Sequence, residues 1–331
     1  MMPFEYRRAE DVDGALTLMS ENVDAAFLGG GTNLVDRMKL GVTNPRMVID
    51  VSRLPLAEVE VLSDGGVRIG ATVRNSGLAA HPIIRSRYAV LARALLAGAS
   101  GQLRNAATTA GNLMQATRCV YFQDVTTPCN KREPGSGCSA IGGYVRYHAI
   151  LGASDQCIAV HPSDMAVALA ALDAVIVVRD EGGEHRIPIT EFYRLPGDSP
   201  ERDTVLKPDQ LIVAVELPAP APAALSTYVK TRDRASFAFA LVSVAAEIEL
   251  ENGIVAGARI ALGGVAHRPW RAYKAEEVLL GSPPTEEVFV QAADAELAHA
   301  NPQSGNAFKI PLTRGVMVSV LRSLTAGRFT K

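Results

Sequence analysis

The sequence predicts an α+β protein in two parts, and three observations carry that expectation. Residues 10–217 interleave short strand and helix patterns. From about residue 225, strands come first and helices follow. Between the two lies Pro218–Pro222, read PAPAP, stiff and without either period. A first domain is therefore expected over 1–220 and a second over 223–331.

Glu10–Met19 carries apolar residues at helical spacing (Val12, Ala15, Leu16, Met19). A strand at Ala25–Leu28 runs into Gly29-Gly30-Gly31-Thr32-Asn33, and helical spacing resumes at Leu34, Val35, Met38 and Leu40. Arg46–Val51 reads as a strand. Glu58–Leu62 and Val67–Ile69 read as a hairpin around Asp64-Gly65-Gly66. Tyr88–Leu96 is a helix with Gly98 as its stop. Residues 115–160 then lose all periodicity, and a structureless stretch of roughly 45 residues needs something else to order it. Ser163 caps a helix through Ala171. Strands follow at Ala174–Val178 and Leu211–Leu217, with a turn at 181–184. Beyond the boundary, strands are expected at Thr227–Lys230, Ala240–Leu250 and Ile254–Leu262. Helices are expected at Pro269–Leu280, Glu286–His299 and Pro311–Leu324.

Of 331 residues, 48% are hydrophobic and 21% charged, the balance of an ordinary globular protein. A net charge of −2 gives no basic excess to draw on phosphate backbones, so no nucleic-acid partner is expected. The N-terminus has no signal-peptide pattern, and the apolar run Met165–Val178, broken by Asp173, is too short for membrane insertion. The chain carries no export signal of its own. It is either cytoplasmic or periplasmic as a folded passenger of a signal-bearing partner.

Three glycines after a strand let backbone N–H groups converge on an anion, and the following helix start adds positive potential. Phe27 to Leu34 thus read either as a diphosphate cradle or as a tight turn; they match neither GxGxxG nor a P-loop. A second loop, Gln102–Leu113, is rich in small and hydroxyl residues (Thr108, Gly111, Asn112) that let a large flat ligand approach the backbone.

All four cysteines fall in the aperiodic stretch, as Cys119-x9-Cys129-x8-Cys138-x18-Cys157. No interval has the two to four residues of a zinc knuckle. Two disulfides would require an oxidising compartment. Four thiolates in irregular loops also suit an iron–sulfur cluster. The spacing leaves all three open. The six histidines form no i, i+4 pair. His161 reads as a loop residue, Trp270 as a packing anchor at a helix start, and Lys230–Arg234 as a solvated turn or the border of a site.

FLGGGTNL at 27–34, QLRNAATTAGNL at 102–113, HPSDM at 161–165 and ALGGVAHRPWRAYKAE at 261–276 together resemble the FAD-binding subunits of the xanthine dehydrogenase and carbon monoxide dehydrogenase family of molybdenum hydroxylases. The resemblance covers essentially the whole chain. It is strongest to the [4Fe–4S]-containing FAD subunits of bacterial periplasmic aldehyde oxidoreductases. It implies a two-subdomain α/β FAD-binding domain of the PCMH type, with an α+β C-terminal domain of the carbon monoxide dehydrogenase flavoprotein type. Phe27, Leu28, Gly29, Gly30, Gly31, Thr32, Asn33 and Leu34 would hold the diphosphate. Thr108, Gly111 and Asn112 would line the second loop, and Asp164 would bond the cofactor. Ile212 and Lys230 would pack near the isoalloxazine. Ala110 departs from the family's GGN triplet. The resemblance further implies that the cysteine loop is an insertion holding a [4Fe–4S] cluster on Cys119, Cys129, Cys138 and Cys157. Arg118, Lys131 and Arg132 would offset its negative charge.

The implied activity is electron transfer in a heterotrimer. Electrons would pass from a large molybdenum–pterin subunit, where an aldehyde (or N-heterocycle) is oxidised, and a small subunit with two [2Fe–2S] clusters, through FAD to an external electron acceptor. Two other readings remain: a self-sufficient flavin oxidoreductase with a structural zinc, and a redox-inactive scaffold.

Overall fold

The computed structural model describes residues 1–221 and 224–326. Pro222 of the expected boundary and the last five residues of the expected second domain lie outside them.

The chain opens with β1 (Glu5–Arg8), α1 (Val12–Ser20), β2 (Ala25–Leu28), α2 (Leu34–Lys39) and β3 (Met47–Asp50). Helical crossovers between successive strands make a parallel three-stranded sheet, β1-β3-β2. Asp11 caps α1 by accepting from Gly14 N at 2.7 Å. The apolar side of α1 (Val12, Ala15, Leu16) packs with Met47, Ile49, Leu211 and Val213. β1 is not legible in the sequence because all four of its residues are exposed, so no alternation marks it.

β4 (Val59–Val61) and β5 (Val67–Gly70) form the expected hairpin. Five short helices follow: α3 (Asn75–Ala80), α4 (Pro82–Arg87), α5 (Ala89–Ala97), α6 (Gly101–Ala106) and α7 (Thr109–Leu113). Gly98 ends α5 as expected. The cysteine segment holds one short helix, α8 (Val120–Gln123), and is otherwise turns and loops. Then come α9 (Asp164–Ala171), β6 (Val175–Asp180), β7 (Gly183–Pro188), α10 (Ile189–Phe192) and β8 (Leu211–Leu217). The resulting antiparallel sheet has the order β4-β5-β8-β6-β7. Its strands alternate between two cores. Ile176 and Val178 face α5 and α9, while Val177 faces the three-stranded layer. Every residue of α9 is buried, because the helix lies between this sheet and the next.

The C-terminal part contains β9 (Leu225–Thr231), β10 (Val242–Glu251), β11 (Ile254–Gly263), β12 (Trp270–Arg271), α11 (Tyr273–Leu279), α12 (Glu286–Leu297) and α13 (Lys309–Thr325). The strands form an antiparallel sheet, β12-β11-β10-β9, with the helices on one face. One expectation fails here. The helix expected over Pro269–Leu280 begins only at Tyr273, because Trp270 and Arg271 first pair with Leu262 and Ala261 as an edge strand. Trp270 is an anchor as expected, but a strand residue whose Nε1 donates to Glu296 Oε1 at 2.7 Å.

Candidate flavin and cysteine site

The glycine loop leaves the C-terminal end of β2 and meets the loop before α7. A Cβ at Gly30 would run into the carbonyl of Ala106, and one at Gly29 would stand 2.6 Å from Thr108 Oγ1. Gly31 has φ +73°, a conformation that favours glycine. Thr108 caps α7 by accepting from Gly111 N at 3.1 Å. The two loops are thus packed to backbone contact, and only small residues permit it.

They line a cavity of about 250 Å³ that includes Phe27, Gly29–Gly31, Leu34, Thr108 and Ile212. A second cavity of about 550 Å³ continues from it, sharing Thr32, Asn33 and Gly111. Both sizes suit segments of one extended ligand. The larger cavity holds Asn112, Asp164, Lys230, His161 and Cys119. Leu28 lines neither. Ile212 and Lys230, both expected near the isoalloxazine, line the smaller and the larger cavity respectively.

Asp164 is the first residue of α9, next to the capping Ser163. It is 9% exposed. Lys230 Nζ lies 2.7 Å from Asp164 Oδ2, and Tyr228 OH donates to Oδ1 at 2.5 Å. Burial beside this carboxylate pushes the Tyr228 hydroxyl well above its usual range, so Tyr228 stays a donor. Asn112 Oδ1 accepts from Ser163 Oγ at 2.5 Å and from Gln115 Nε2 at 3.0 Å, which ties the second loop to the start of α9. The sequence reading missed Tyr228. Its place two residues before Lys230 on one strand puts both side chains on the same face.

The cysteine segment is ordered by its own hydrogen bonds. Cys129 and Cys138 face each other across a bridge, with Asn130 N donating to Gly137 O at 2.7 Å. Asn130 Nδ2 reaches Gln156 Oε1 at 3.0 Å, beside Cys157. Cys119 packs against the small cluster that contains Cys129 and, like Cys138, against the cluster of Ala140, Val145 and Ile158. None of the four is paired in a disulfide. Burial pushes the Cys119 thiol up to about 11 and the Cys157 thiol up to about 12. Thiolates can gather here only with a compensating cation. Among the described residues no three of His, Cys, Asp or Glu stand close enough for a single metal ion.

The basic residues divide their work differently from the expectation. Lys131 is buried, with Nζ 2.5 Å from Asp203 Oδ1, 2.6 Å from Pro200 O and 3.2 Å from His267 Nε2. Arg132 donates to the carbonyls of Tyr121 and Phe122 at 3.0 and 2.8 Å. Arg118 donates to Ala116 O at 2.5 Å, and its guanidinium lies 5.0 Å from the Phe239 ring centroid. These cations brace loops as well as carrying charge near the cysteines. His148, which the spacing did not single out, places Nε2 3.1 Å from Cys119 Sγ.

The FAD-binding domain model of the molybdopterin dehydrogenases matches residues 2–220, and the carbon monoxide dehydrogenase flavoprotein C-terminal domain matches residues 227–324. The chain belongs to the FAD-binding subunits of the xanthine dehydrogenase and carbon monoxide dehydrogenase family. It is 50% identical over 327 residues, 98% of this chain and 99% of the relative, to the aldehyde oxidoreductase FAD-binding subunit PaoB of Escherichia coli. It is 26% identical, over 91% of this chain and 89% of the relative, to the glyceraldehyde dehydrogenase medium chain of Sulfolobus acidocaldarius. A solved structure of carbon monoxide dehydrogenase from Hydrogenophaga pseudoflava superposes with a TM-score of 0.78 at 26% identity, covering 98% of this chain and 99% of that one. The protein is therefore an FAD-binding, medium-chain oxidoreductase subunit of the molybdenum hydroxylase family. Among the described residues no helix is long and apolar enough to cross a membrane.

Proposed function

We propose that this flavin subunit also holds a [4Fe–4S] cluster on Cys119, Cys129, Cys138 and Cys157, and serves as the electron outlet of a heterotrimeric aldehyde oxidoreductase. Its large partner would carry molybdenum–pterin and its small partner two [2Fe–2S] clusters. The observation that carries the reading is the confinement of all four cysteines to one segment, of which Cys119 also lines the larger cavity. Four cysteines confined to Cys119–Cys157, with no interval of zinc-knuckle length, fit a multi-iron group better than one zinc ion. When bound, FAD supplies one- and two-electron chemistry and the cluster one-electron chemistry.

The chain's own residues would bind and orient these groups. Gly29–Gly31 offer backbone N–H groups to a diphosphate. Asp164, held by Lys230 and Tyr228, presents fixed polar atoms to the larger cavity. His148 and the backbone around Cys129 hold the thiols in place. The 50% identity to an aldehyde oxidoreductase subunit supports an aldehyde as the substrate oxidised on the partner.

The test is metal and flavin analysis of the purified native complex, with identification of its co-purifying chains. The heterotrimer should contain about eight irons, four in this subunit and four in the small partner's two [2Fe–2S] clusters, and about one FAD. About one zinc without iron would establish the self-sufficient flavin enzyme instead, and a colourless assembled complex would establish the scaffold.

A further inference from the structure

The larger cavity opens between two segments far apart in sequence. One is the connection from β9 to β10, residues 232–241; the other is the cysteine segment. Tyr144 and Tyr147 of the cysteine segment and Phe237 and Phe239 of the connection all line this mouth, and all four rings are exposed. The connection does not hold its own shape through a strand ladder. Phe237 stands at φ +50°, a conformation a bulky residue keeps only when its surroundings impose it.

The grips that impose it come from the cysteine segment. Arg146 donates to Asp233 through Nε at 3.2 Å and Nη2 at 2.6 Å, and Tyr147 OH donates to the same carboxylate at 2.6 Å. Six residues further on, the Phe239 ring lies against the Arg118 guanidinium. Arg146 is itself braced by Phe308, 4.9 Å away at the start of α13. Inside the connection, Arg234 Nε donates to Phe237 O at 2.9 Å and closes the turn that Asp233 opens. The cysteine segment therefore holds the connection at both ends.

We propose that Arg146, Tyr147 and Arg118 are positioning residues that fix the β9–β10 connection as the outer wall of the flavin entrance, and so decide by size which electron acceptors reach the flavin. The proposal rests on the larger cavity holding the reacting end of the FAD, where Asp164 and Lys230 lie. It gives the cysteine segment a second task that does not depend on which metal group it carries. None of the three residues contacts Asp164 or Lys230, so their effect on turnover runs through the wall.

The test uses the intact complex with its flavin and iron content measured. Arg146→Met with Asp233→Asn removes the clamp and leaves the net charge of the mouth unchanged; Tyr147→Phe removes one bond alone. Steady-state kinetics with ferricyanide as a small acceptor and nitroblue tetrazolium as a large one read the entrance. The double variant should lower KM for the large acceptor about two- to fivefold, the scale of one exposed ion pair. KM and kcat for ferricyanide, and both cofactor contents, should stay at the wild-type level. Tyr147→Phe should give a smaller shift of the same sign, and Arg146→Lys should restore part of the discrimination. Unchanged KM for both acceptors, or equal shifts for both, would overturn the proposal. A Lys230→Met complex whose flavin absorbance spectrum is identical to wild type would refute the placement of the ring in this cavity, and the entrance proposal with it.

Discussion

Asp164 is the residue on which most of the flavin site turns. Its carboxylate is buried between Lys230 and Tyr228, and such a pair is costly to break on one side only, because the survivor keeps a charge that water no longer reaches. Lys230→Met is expected to destabilise the subunit by about 3–5 kcal/mol. Tyr228→Phe, which removes one hydrogen bond to a charged group, should cost about 1.5–3 kcal/mol. Denaturant unfolding of the two variants checks the ranking, and equal losses would show that the ion pair is not the stronger contact. The glycine loop makes a different demand. Gly30→Ala sets a methyl against the Ala106 carbonyl, a backbone atom that cannot swing aside. The variant should fold with its two loops pushed apart and should lose FAD on gel filtration, read at the flavin absorbance. The residues of this site were partly legible. Gly29–Gly31 and Asp164 sit in motifs a reader can see, whereas Tyr228 is an ordinary tyrosine until the strand places it beside Lys230. Asp233 lay in the stretch Lys230–Arg234 read as a turn or the border of a site, but Arg146 and Tyr147 escaped for a related reason: they meet it from more than 80 residues away, which no local pattern records.

At the scale of elements, periodicity marked elements with a long buried face and missed exposed or very short ones; α3, α4 and α10 bury Leu78, Ile84 and Phe192 but are too short to show a period. α1, β2, β5, α9 and β8 appear where the apolar spacing puts them, because each presents apolar residues to a core. β1 and the edge strand β12 lack that imprint, and the short helices α6 and α7 are set by caps at Ser100 and Thr108 more than by hydrophobic pattern. The cysteine segment is the extreme case. Its aperiodicity was legible, but its order was not, since that order comes from side chains such as Arg132 and Asn130 bonding to distant carbonyls and amides. These bonds leave the segment a fold of its own, which the bound metal group would complete. Cys129→Ser should therefore remove iron from the subunit and speed tryptic cleavage at Lys131 and Arg132, while leaving α5, α9 and the two large sheets protected in hydrogen exchange. Unchanged iron content would exclude Cys129 as a ligand.

Across the whole molecule, the cysteine segment is also a wedge. It inserts Lys131 beneath Asp203 and His267, and it leads directly into His161, which stacks on Tyr193 with centroids 4.4 Å apart. His161 and His267 are buried where the segment, the central sheet and the C-terminal sheet meet. Burial pushes both imidazoles down to about 3. The sign of the consequence follows from linkage. Above pH 6.5 both histidines are neutral whether the chain is folded or not. Below it the unfolded chain takes up protons that the folded one refuses, until the folded value near 3 is reached. Stability should therefore fall as the pH drops from about 6.5, by about 1.4 kcal/mol per pH unit for each histidine. Carboxylates held low by partners, such as Asp233 at about 2, add their loss only in the more acid range where free carboxylates titrate. The buried carboxyls of Glu247 and Glu276 are pushed up and add a trend of opposite sign, so it is the difference between variant and wild type that isolates a histidine. His161→Phe keeps a ring against Tyr193 and removes one titrating group, and the Nε2 it deletes has no hydrogen-bond partner among the described residues. His148 is pushed down as well, to about 4, so urea unfolding at pH 7, 6 and 5 should show matching stabilities for wild type and His161→Phe at pH 7, with the variant losing about two-thirds as much to histidine protonation by pH 5. Identical slopes for the two proteins would show that His161 is protonated in the folded state, and that the junction between the three layers is open to water.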